Sequence, residues 1–343
     1  MLTINQRIEI FEAWGKLCDV ESDDVKMAID RAMNQNAWFT AENCSLAVSS
    51  LQKGMLNLPK VKDWMAHYPL DNVKEAKTIG LTLAGNIPMV GMQDILCVLA
   101  AGHKAQVKLS EKDAVLIPYF IEKLIEKFPV LAQYVTFVDR LVGFDAIIAT
   151  GSDNAARYFD FYFKKYPHII RKNRNSMAIL AGNESTDDLM ELGKDVFQYF
   201  GLGCRNASFI WLPEGYEIPH LLDTWDPFHV LIHNNKFKNN FDYNCALYIM
   251  NGAKHYHSDY LVMLEQKRLA SRIGVLNYAF YQDVAEIREF YQEQKDRIQC
   301  VVGMNEIEGI PVIPFGTSQE PGLYDYADGV DVMDFLLQLG NHA

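Results

Sequence analysis

The chain has 343 residues, 49% of them hydrophobic and 22% charged, a composition that suits a folded enzyme with room for two domains. A formal net charge of −12 leaves no basic face for a phosphate backbone, so nucleic acid is excluded as an expected partner. The six cysteines lie far apart with no C-x-x-C pair, which predicts reduced thiols and offers no zinc framework.

Met1 to Lys16 reads as an amphipathic helix with charges throughout. It lacks the apolar core of a signal peptide, and no later run approaches ~18 apolar residues, so a cytoplasmic protein without a membrane span is expected. Helices are predicted at Ile4 to Leu17, Asp23 to Met33 and Ala41 to Leu56, from apolar residues three and four apart. At Lys77 the texture changes. Lys77 to Leu83 reads as a short apolar strand, followed by the turn Ala84-Gly85-Asn86-Ile87-Pro88, a helix from Gly91 to Ala101 and the strand Ala105 to Leu109. Ser110 caps a helix predicted to run to about Lys127. Tyr134 to Val138 and Asp145 to Ala149 are further strands, and Ser152 or Asp153 begins the next helix. Alternating strands and helices predict an α/β fold whose parallel sheet is covered on both faces, with ligands beyond the strands' carboxyl ends.

The alternation resumes with the strand Ser176 to Leu180, the helix Thr186 to Phe200 and the strand Ala207 to Leu212. Residues 213 to 260 read as less regular, rich in aromatics and histidine. Asp259 to Arg272 and Gln282 to Asp296 read as helices, and Ile298 to Val302 and Ile310 to Ile313 as extended. A last helix is expected from Asp331 to Gln338. The domains expected are 1–175, helices plus a nucleotide-binding sheet; 176–313, a catalytic domain; and 314–343, a return segment.

Three places carry chemistry. No G-x-G-x-x-G follows the first strand, so an ordinary dinucleotide fingerprint is missing. Gly151 and Ser152 instead lie between a strand and a helix N-terminus, where free N–H groups attract an anion; the plain alternative is a tight turn with Ser152 as cap. Lys108, at the end of a strand, is placed to meet ribose hydroxyls or a phosphate; the alternative is a solvated lysine. Cys204, in Phe200-Gly201-Leu202-Gly203-Cys204-Arg205-Asn206, has the small neighbours that open approach to a thiolate requires.

These segments, in this order, resemble the aldehyde dehydrogenase superfamily, and within it the acyl-CoA reductase branch that makes fatty aldehyde for bacterial bioluminescence. The carrying residues are Ala84 to Pro88, Val107 to Glu111, Ala149 to Ser152 and Gly203 to Asn206, with Pro314-Phe315-Gly316 similar to the superfamily's closing motif. The resemblance implies an aldehyde dehydrogenase-like fold with Cys204 as nucleophile and Asn86 as oxyanion donor. Lys108 and Glu111 then fall on the adenosine ribose, and Gly151 and Ser152 beside the pyrophosphate. It further implies NADPH as cofactor, with NADH possible, an acyl-CoA or acyl-protein substrate, and a homo-oligomer. Glu111 repels a 2′-phosphate, a charge that Lys104, Lys112 and His103 are expected to offset.

One departure matters. The superfamily's water-activating glutamate falls where this chain has Ile170-Arg171-Lys172-Asn173-Arg174-Asn175, with no acid. Its absence favours reduction of a thioester over its hydrolysis. A second glutamate, for the nicotinamide ribose, has only Glu306 and Glu308 near it in order. The five histidines between His220 and His257 enforce no metal geometry; the region reads as core, the alternative being a lining for the acyl tunnel, with His220 a general-acid candidate. The competing readings are a short-chain acylating aldehyde dehydrogenase, a glutamyl-phosphate-type reductase, a non-catalytic scaffold subunit and a cysteine hydrolase.

Overall fold

Two sheets organise the chain, each within its own unit. The structure, a computed structural model, describes residues 1–341. One unit comprises residues 1–173 together with the segment from Glu320 onward, and the other Arg174–Gln319.

The first unit begins with four helices, α1 (Ile4–Leu17), α2 (Asp23–Gln35), α3 (Ala41–Gly54) and α4 (Leu58–His67). Their starts follow from local chemistry. Thr3 and Gln6 form a capping box on α1, and the Thr40 and Asn57 side chains accept from the first turns of α3 and α4. Then β1 (Thr78–Thr82), α5 (Met92–Ala101), β2 (Lys104–Lys108), α6 (Leu116–Lys127), β3 (Val135–Phe137), β4 (Ala146–Thr150), α7 (Asp153–Phe163) and β5 (His168–Arg171) alternate. The helix predicted from Ser110 starts later: Ser110 caps only a 3-10 turn, Glu111–Asp113, and α6 begins at Leu116. Pro118, two residues into α6, cannot donate a backbone N–H to a preceding turn, so the α-helical ladder cannot extend back through it.

All five strands are parallel, in the order β3-β2-β1-β4-β5. Ile79 and Leu81 of central β1 are fully buried on one face and Gly80 is buried on the other, which is why this strand reads as an apolar run without alternation. The segment from Glu320 adds Leu323, Tyr326, Val332, Met333, Leu336 and Leu337 to the same core, the last four from the helix Val332–Asn341. Trp64 Nε1 donates to Tyr326 Oη at 2.8 Å, the Tyr68 and Tyr326 hydroxyls meet at 2.8 Å, and Tyr68 Oη donates to Asp331 at 2.8 Å.

The second unit runs β6 (Asn175–Ile179), α8 (Thr186–Phe197), β7 (Ala207–Pro213), α9 (Ile218–Thr224), α10 (Asn235–Met250), β8 (His255–His257), β9 (Val262–Glu265), β10 (Val275–Tyr281), α11 (Val284–Gln294), β11 (Ile298–Gly303) and β12 (Val312–Ile313). Its sheet has the order β12-β11-β6-β7-β10-β9-β8, parallel except for the β8–β9 pair.

Two expectations fail here. Asp259 to Arg272 is not a helix: it holds β9, whose Val262, Met263 and Leu264 are all buried between neighbouring strands. A strand buried on both faces shows no period of two, and a short apolar run of that kind cannot be told from helix by pattern alone. Residues 213 to 260 are regular, with the 16-residue α10 at their centre. Phe237, Phe241 and Asn244 give α10 a buried stripe, but Tyr243, Ile249 and Met250 stand exposed and blur the stripe in the sequence. No helix among the described residues is long and apolar enough to cross a membrane.

Candidate active site

In the first unit the loops after β1, β2 and β4 leave neighbouring parallel strands at one edge, because Thr82 pairs with Lys108 on one side and Ala149 on the other. Strand order reverses between β1 and β4, which makes their carboxyl ends a topological switch point, the crevice where open α/β sheets bind ligands. Gly85 and Asn86 follow β1, Lys108 ends β2 with Glu111 in the next turn, and Gly151 and Ser152 follow β4. The sheet therefore brings Asn86, Lys108, Glu111, Gly151 and Ser152 to one edge.

Each has a distinct environment. Asn86 is half-buried, and Lys108 and Glu111 are exposed. The turn at Gly85 is crowded: a Cβ there would lie 2.6 Å from Ser110 Oγ. Met89, with φ 58°, closes that turn, and its N–H donates to Asp113 Oδ2 at 2.7 Å. Burial pushes the Asp113 carboxyl up to about 7. Gly151 also has no room for a side chain, since a Cβ would come within 2.9 Å of both Ala155 and Phe159. Its N–H, however, donates to the Arg171 carbonyl at 3.3 Å, and Ser152 Oγ accepts from Ala155 N at 3.3 Å as the helix cap. The capping role of Ser152 is thus present, and the Gly151 amide is already used. An anion at this edge would meet the remaining first-turn N–H groups of α7.

Two of the three positive groups invoked beside Glu111 do not serve. His103 is fully buried; Nδ1 accepts from Lys77 N at 3.1 Å, so Nε2 donates to the Leu336 carbonyl at 2.9 Å, and burial lowers its pKa and keeps it neutral. Lys104 opens β2 and so lies at the opposite edge of the sheet from Lys108. Of the three, Lys112 remains, in the same turn as Glu111.

The acid-free stretch also has a defined structure. Arg171, at the end of β5, makes a bidentate pair with Asp94 of α5 at 2.7 and 2.8 Å, both side chains buried, and reaches Thr150 Oγ1 at 3.5 Å. It joins the helix after the Asn86 loop to the strand before Gly151.

Cys204 lies in the second unit, half-buried, three residues before β7. It therefore sits at the amino ends of this sheet, whereas ligand sites were expected at carboxyl ends. The connection from α8 is tightly specified. Tyr199, Phe200 and Gly201 are consecutive left-handed residues with φ of 53°, 59° and 71°. Two of them are not glycine, a conformation that costs on the order of 1–3 kcal/mol per residue and persists only where surroundings enforce it. Asn206, buried, does the enforcing. Its Oδ1 accepts from Gly203 N at 2.8 Å, and its Nδ2 donates to the carbonyls of Gln198 at 2.8 Å and Asp195 at 3.0 Å. Ser176 Oγ donates to the Cys204 carbonyl at 2.9 Å, accepts from Cys300 N at 3.1 Å and lies 3.0 Å from Cys300 Sγ. The carboxylate of buried Asp195 accepts from Gly316 N at 2.7 Å and Ser318 N at 3.0 Å, so the Pro314-Phe315-Gly316 motif is tied to the end of α8. Asn206, Ser176 and Asp195 carry no sequence signal beyond the adjacency of Asn206 to the loop.

Burial raises the other five thiols: Cys18 and Cys44 to about 12, Cys300 to about 11, and Cys97 and Cys245 above the ordinary thiol value. None of the five is suited to act as a thiolate near neutral pH.

Several candidates fall away. His220 follows the carboxyl end of seven-residue β7, about 20 Å of strand away from the Cys204 end, and is exposed. Glu306 and Glu308 follow the carboxyl end of β11, again opposite Cys204, and Glu308 lies 3.7 Å from Arg288. The histidine-rich segment is core in part: Trp225, Phe237, Phe241 and Tyr260 are buried, while His229 and His257 line an open cleft with Asp223, Asp226 and Asp259. Among the described residues no group of three His, Cys, Asp or Glu side chains has metal-binding geometry.

No family model matches this chain, and no curated protein sequence matches it. Solved structures do. Aldehyde dehydrogenase 21 from Physcomitrella patens, in complex with succinate, superposes with a TM-score of 0.68 at 10% identity, over 98% of this chain and 84% of that one. An NADP-dependent enzyme from E. coli gives 0.65 at 12% identity, over 92% and 78% of the two chains. An NAD-dependent aldehyde dehydrogenase from Sinorhizobium meliloti gives 0.64 at 8% identity, over 90% and 71%. The fold of this chain is that of the aldehyde dehydrogenases.

Proposed function

We propose that this chain is a nicotinamide-dependent oxidoreductase that reduces an acyl thioester, carried by CoA or a protein, to the aldehyde through an acyl-Cys204 intermediate. The observation that carries the reading is the Cys204 loop, a half-buried thiol in a strained turn clamped by Asn206 and Ser176 while burial suppresses the other five thiols. The aldehyde dehydrogenase-like fold supports it.

In this reading the Cys204 thiolate attacks the thioester carbonyl. The bond from that carbon to the donor sulfur then breaks, and the donor leaves as a thiol. One thioester replaces another, so the exchange is nearly balanced and positioning carries the rate. The oxyanion is assigned to the Cys204 N–H and the Asn86 amide, and one such donor is worth ~3 kcal/mol. The crowded Gly85 turn, exposed Lys108 with Glu111, and the α7 N-terminus fit a nucleotide's ribose and phosphates. A nicotinamide bound there supplies hydride. The stretch Ile170 to Asn175, which the resemblance matches to the water-activating glutamate, holds no acid, and its Arg171 is committed to Asp94.

The loss of His103 and Lys104 as counter-charges weighs toward NADH, because Glu111 then faces a 2′-phosphate with less compensation. Incubating the protein with acyl-CoA and either NADPH or NADH, and assaying for aldehyde, tests the reaction and its cofactor together. Cys204→Ala is expected to abolish acyl transfer from labelled acyl-CoA while nucleotide binding persists. Full acylation of that variant would refute the assignment.

A further inference from the structure

Cys204 is not the only sulfur at its loop. The turn from Gly203 to Asn206 is closed by Asn206 N, which donates to the Gly203 carbonyl at 3.1 Å. It meets the start of β6, where Ser176 N donates to the Asn206 carbonyl at 3.3 Å. On the other side of β6, strand β11 carries a bulge. Ile298 pairs with Asn175 and Val301 with Met177, so Gln299 and Cys300 together stand opposite Ser176 alone. Bulges re-aim side chains and gather beside active sites. This one brings Cys300 Sγ to 3.0 Å from Ser176 Oγ and 3.9 Å from the Arg205 carbonyl. Cys300 thus lies against the same turn whose Cys204 carbonyl Ser176 Oγ binds at 2.9 Å. The two cysteines also feel each other's charge: a Cys204 thiolate is one of the causes that raise the Cys300 thiol.

We infer that Cys204 and Cys300 form a reversible redox pair, joined as a disulfide when a hydroperoxide oxidises Cys204. The effect of this linkage on turnover rests on the proposed role of Cys204 as the acylated residue. The Cys204 thiolate attacks the peroxide and the O–O bond breaks. One oxygen stays on sulfur as a sulfenic acid, and the other leaves as water after taking a proton from solvent. The Cys300 sulfur then attacks the Cys204 sulfur. The S–O bond breaks, the Cys300 proton leaves with the hydroxyl as water, and the S–S bond forms. A dithiol returns two electrons and two protons and restores both thiols.

The order of these steps follows from the charges. Cys300, held up to about 11, does not compete with Cys204 for the peroxide. Once Cys204 is a neutral sulfenic acid its thiolate no longer opposes ionisation of Cys300, while Arg205 still favours it. The linkage halts oxidation of the nucleophile short of the irreversible sulfinic acid. A pair that forms and opens in this way is compatible with a reducing compartment, where a permanent bridge is not expected.

Peptide mapping tests the pair without any acyl donor. After sustained exposure of the whole protein to hydrogen peroxide, alkylation and non-reducing digestion, mass spectrometry should find the Cys204 and Cys300 peptides joined, with the intact mass still that of one chain. Dithiothreitol should return both thiols. In Cys300→Ser the same exposure should carry Cys204 on to the sulfinic acid, with its reactivity toward iodoacetamide lost for good. Cys245→Ser, on α10 of the same unit, should behave as the unaltered protein. The linked peptide is read on the unaltered chain, so a folding failure of Cys300→Ser leaves the test decisive. Cys204 driven to sulfinic acid in the unaltered protein with no linked peptide overturns the pair, as does full recovery by dithiothreitol in Cys300→Ser. Transfer from acyl-CoA should be absent in the linked form and return with dithiothreitol. A linked pair in a protein that never transfers an acyl group, or that transfers it unchanged while linked, upholds the redox pair and overturns the acyl-cysteine reading.

Discussion

Asp113 ties the Asn86 loop to pH through a single buried carboxyl. Its Oδ2 accepts from Met89 N while burial holds the group near pH 7, against an unfolded value of ~3.9. Between those values the unfolded chain has released a proton that the folded chain keeps, so the unfolded state binds fewer protons and stability falls as pH rises. The contribution is complete below the unfolded value and is lost through about 7. Asp113→Asn removes the ionisation and keeps an acceptor for Met89. Urea denaturation at pH 5 and pH 8 should show the unaltered protein losing more stability across that interval than the variant. Equal losses would separate Asp113 from the loop's pH response. His103 acts with the opposite sign: its lowered pKa makes stability fall as pH drops below the ordinary histidine value of ~6.5.

At the scale of elements, the Arg171–Asp94 pair fixes α5 to the ends of β4 and β5, and with them the loops on either side of the switch point. A buried pair is costly to break from one side, about 3–5 kcal/mol, yet replacing both partners with apolar groups is often neutral. Arg171→Met alone should therefore lower the thermal midpoint far more than Arg171→Met combined with Asp94→Leu, as read by calorimetry. A double variant as unstable as the single would show that the pair does not act as a unit. Elements differ in how far the sequence revealed them. β1, β2 and β4 are legible because apolar runs end at Gly85, Ser110 and Gly151, residues whose turn and cap chemistry is local. β9 and α10 are not: one is buried on both faces, and the other is apolar around too much of its circumference. The Cys204 loop is legible from its glycines, but its supports are not. Ser176 acts across 28 residues on Cys204 and across 124 on Cys300, and no local pattern encodes such partners. The placement of Cys204 at strand amino ends was equally hidden, because the rule about carboxyl ends concerns nucleotide sheets and the sequence does not say which sheet the thiol serves.

Across the whole molecule, residues 320–341 complete the core of the first unit after the second has been threaded between its two segments. Six buried apolar side chains come from this return, at ~1.5–3 kcal/mol each, a total on the order of 10 kcal/mol. That equals the ~5–15 kcal/mol that stabilises an ordinary domain. A chain ended at Gln319 should therefore lose hydrogen-exchange protection throughout β1, β2 and β4; unchanged protection there would show that the first unit closes without the return. The same threading sets an order on biosynthesis. All of residues 174–319 have left the ribosome before the return segment appears, so the nascent chain can finish its middle before its beginning. Until then helices α1 to α6 wait with open apolar faces, which makes this opening third of the polypeptide the natural client for a chaperone.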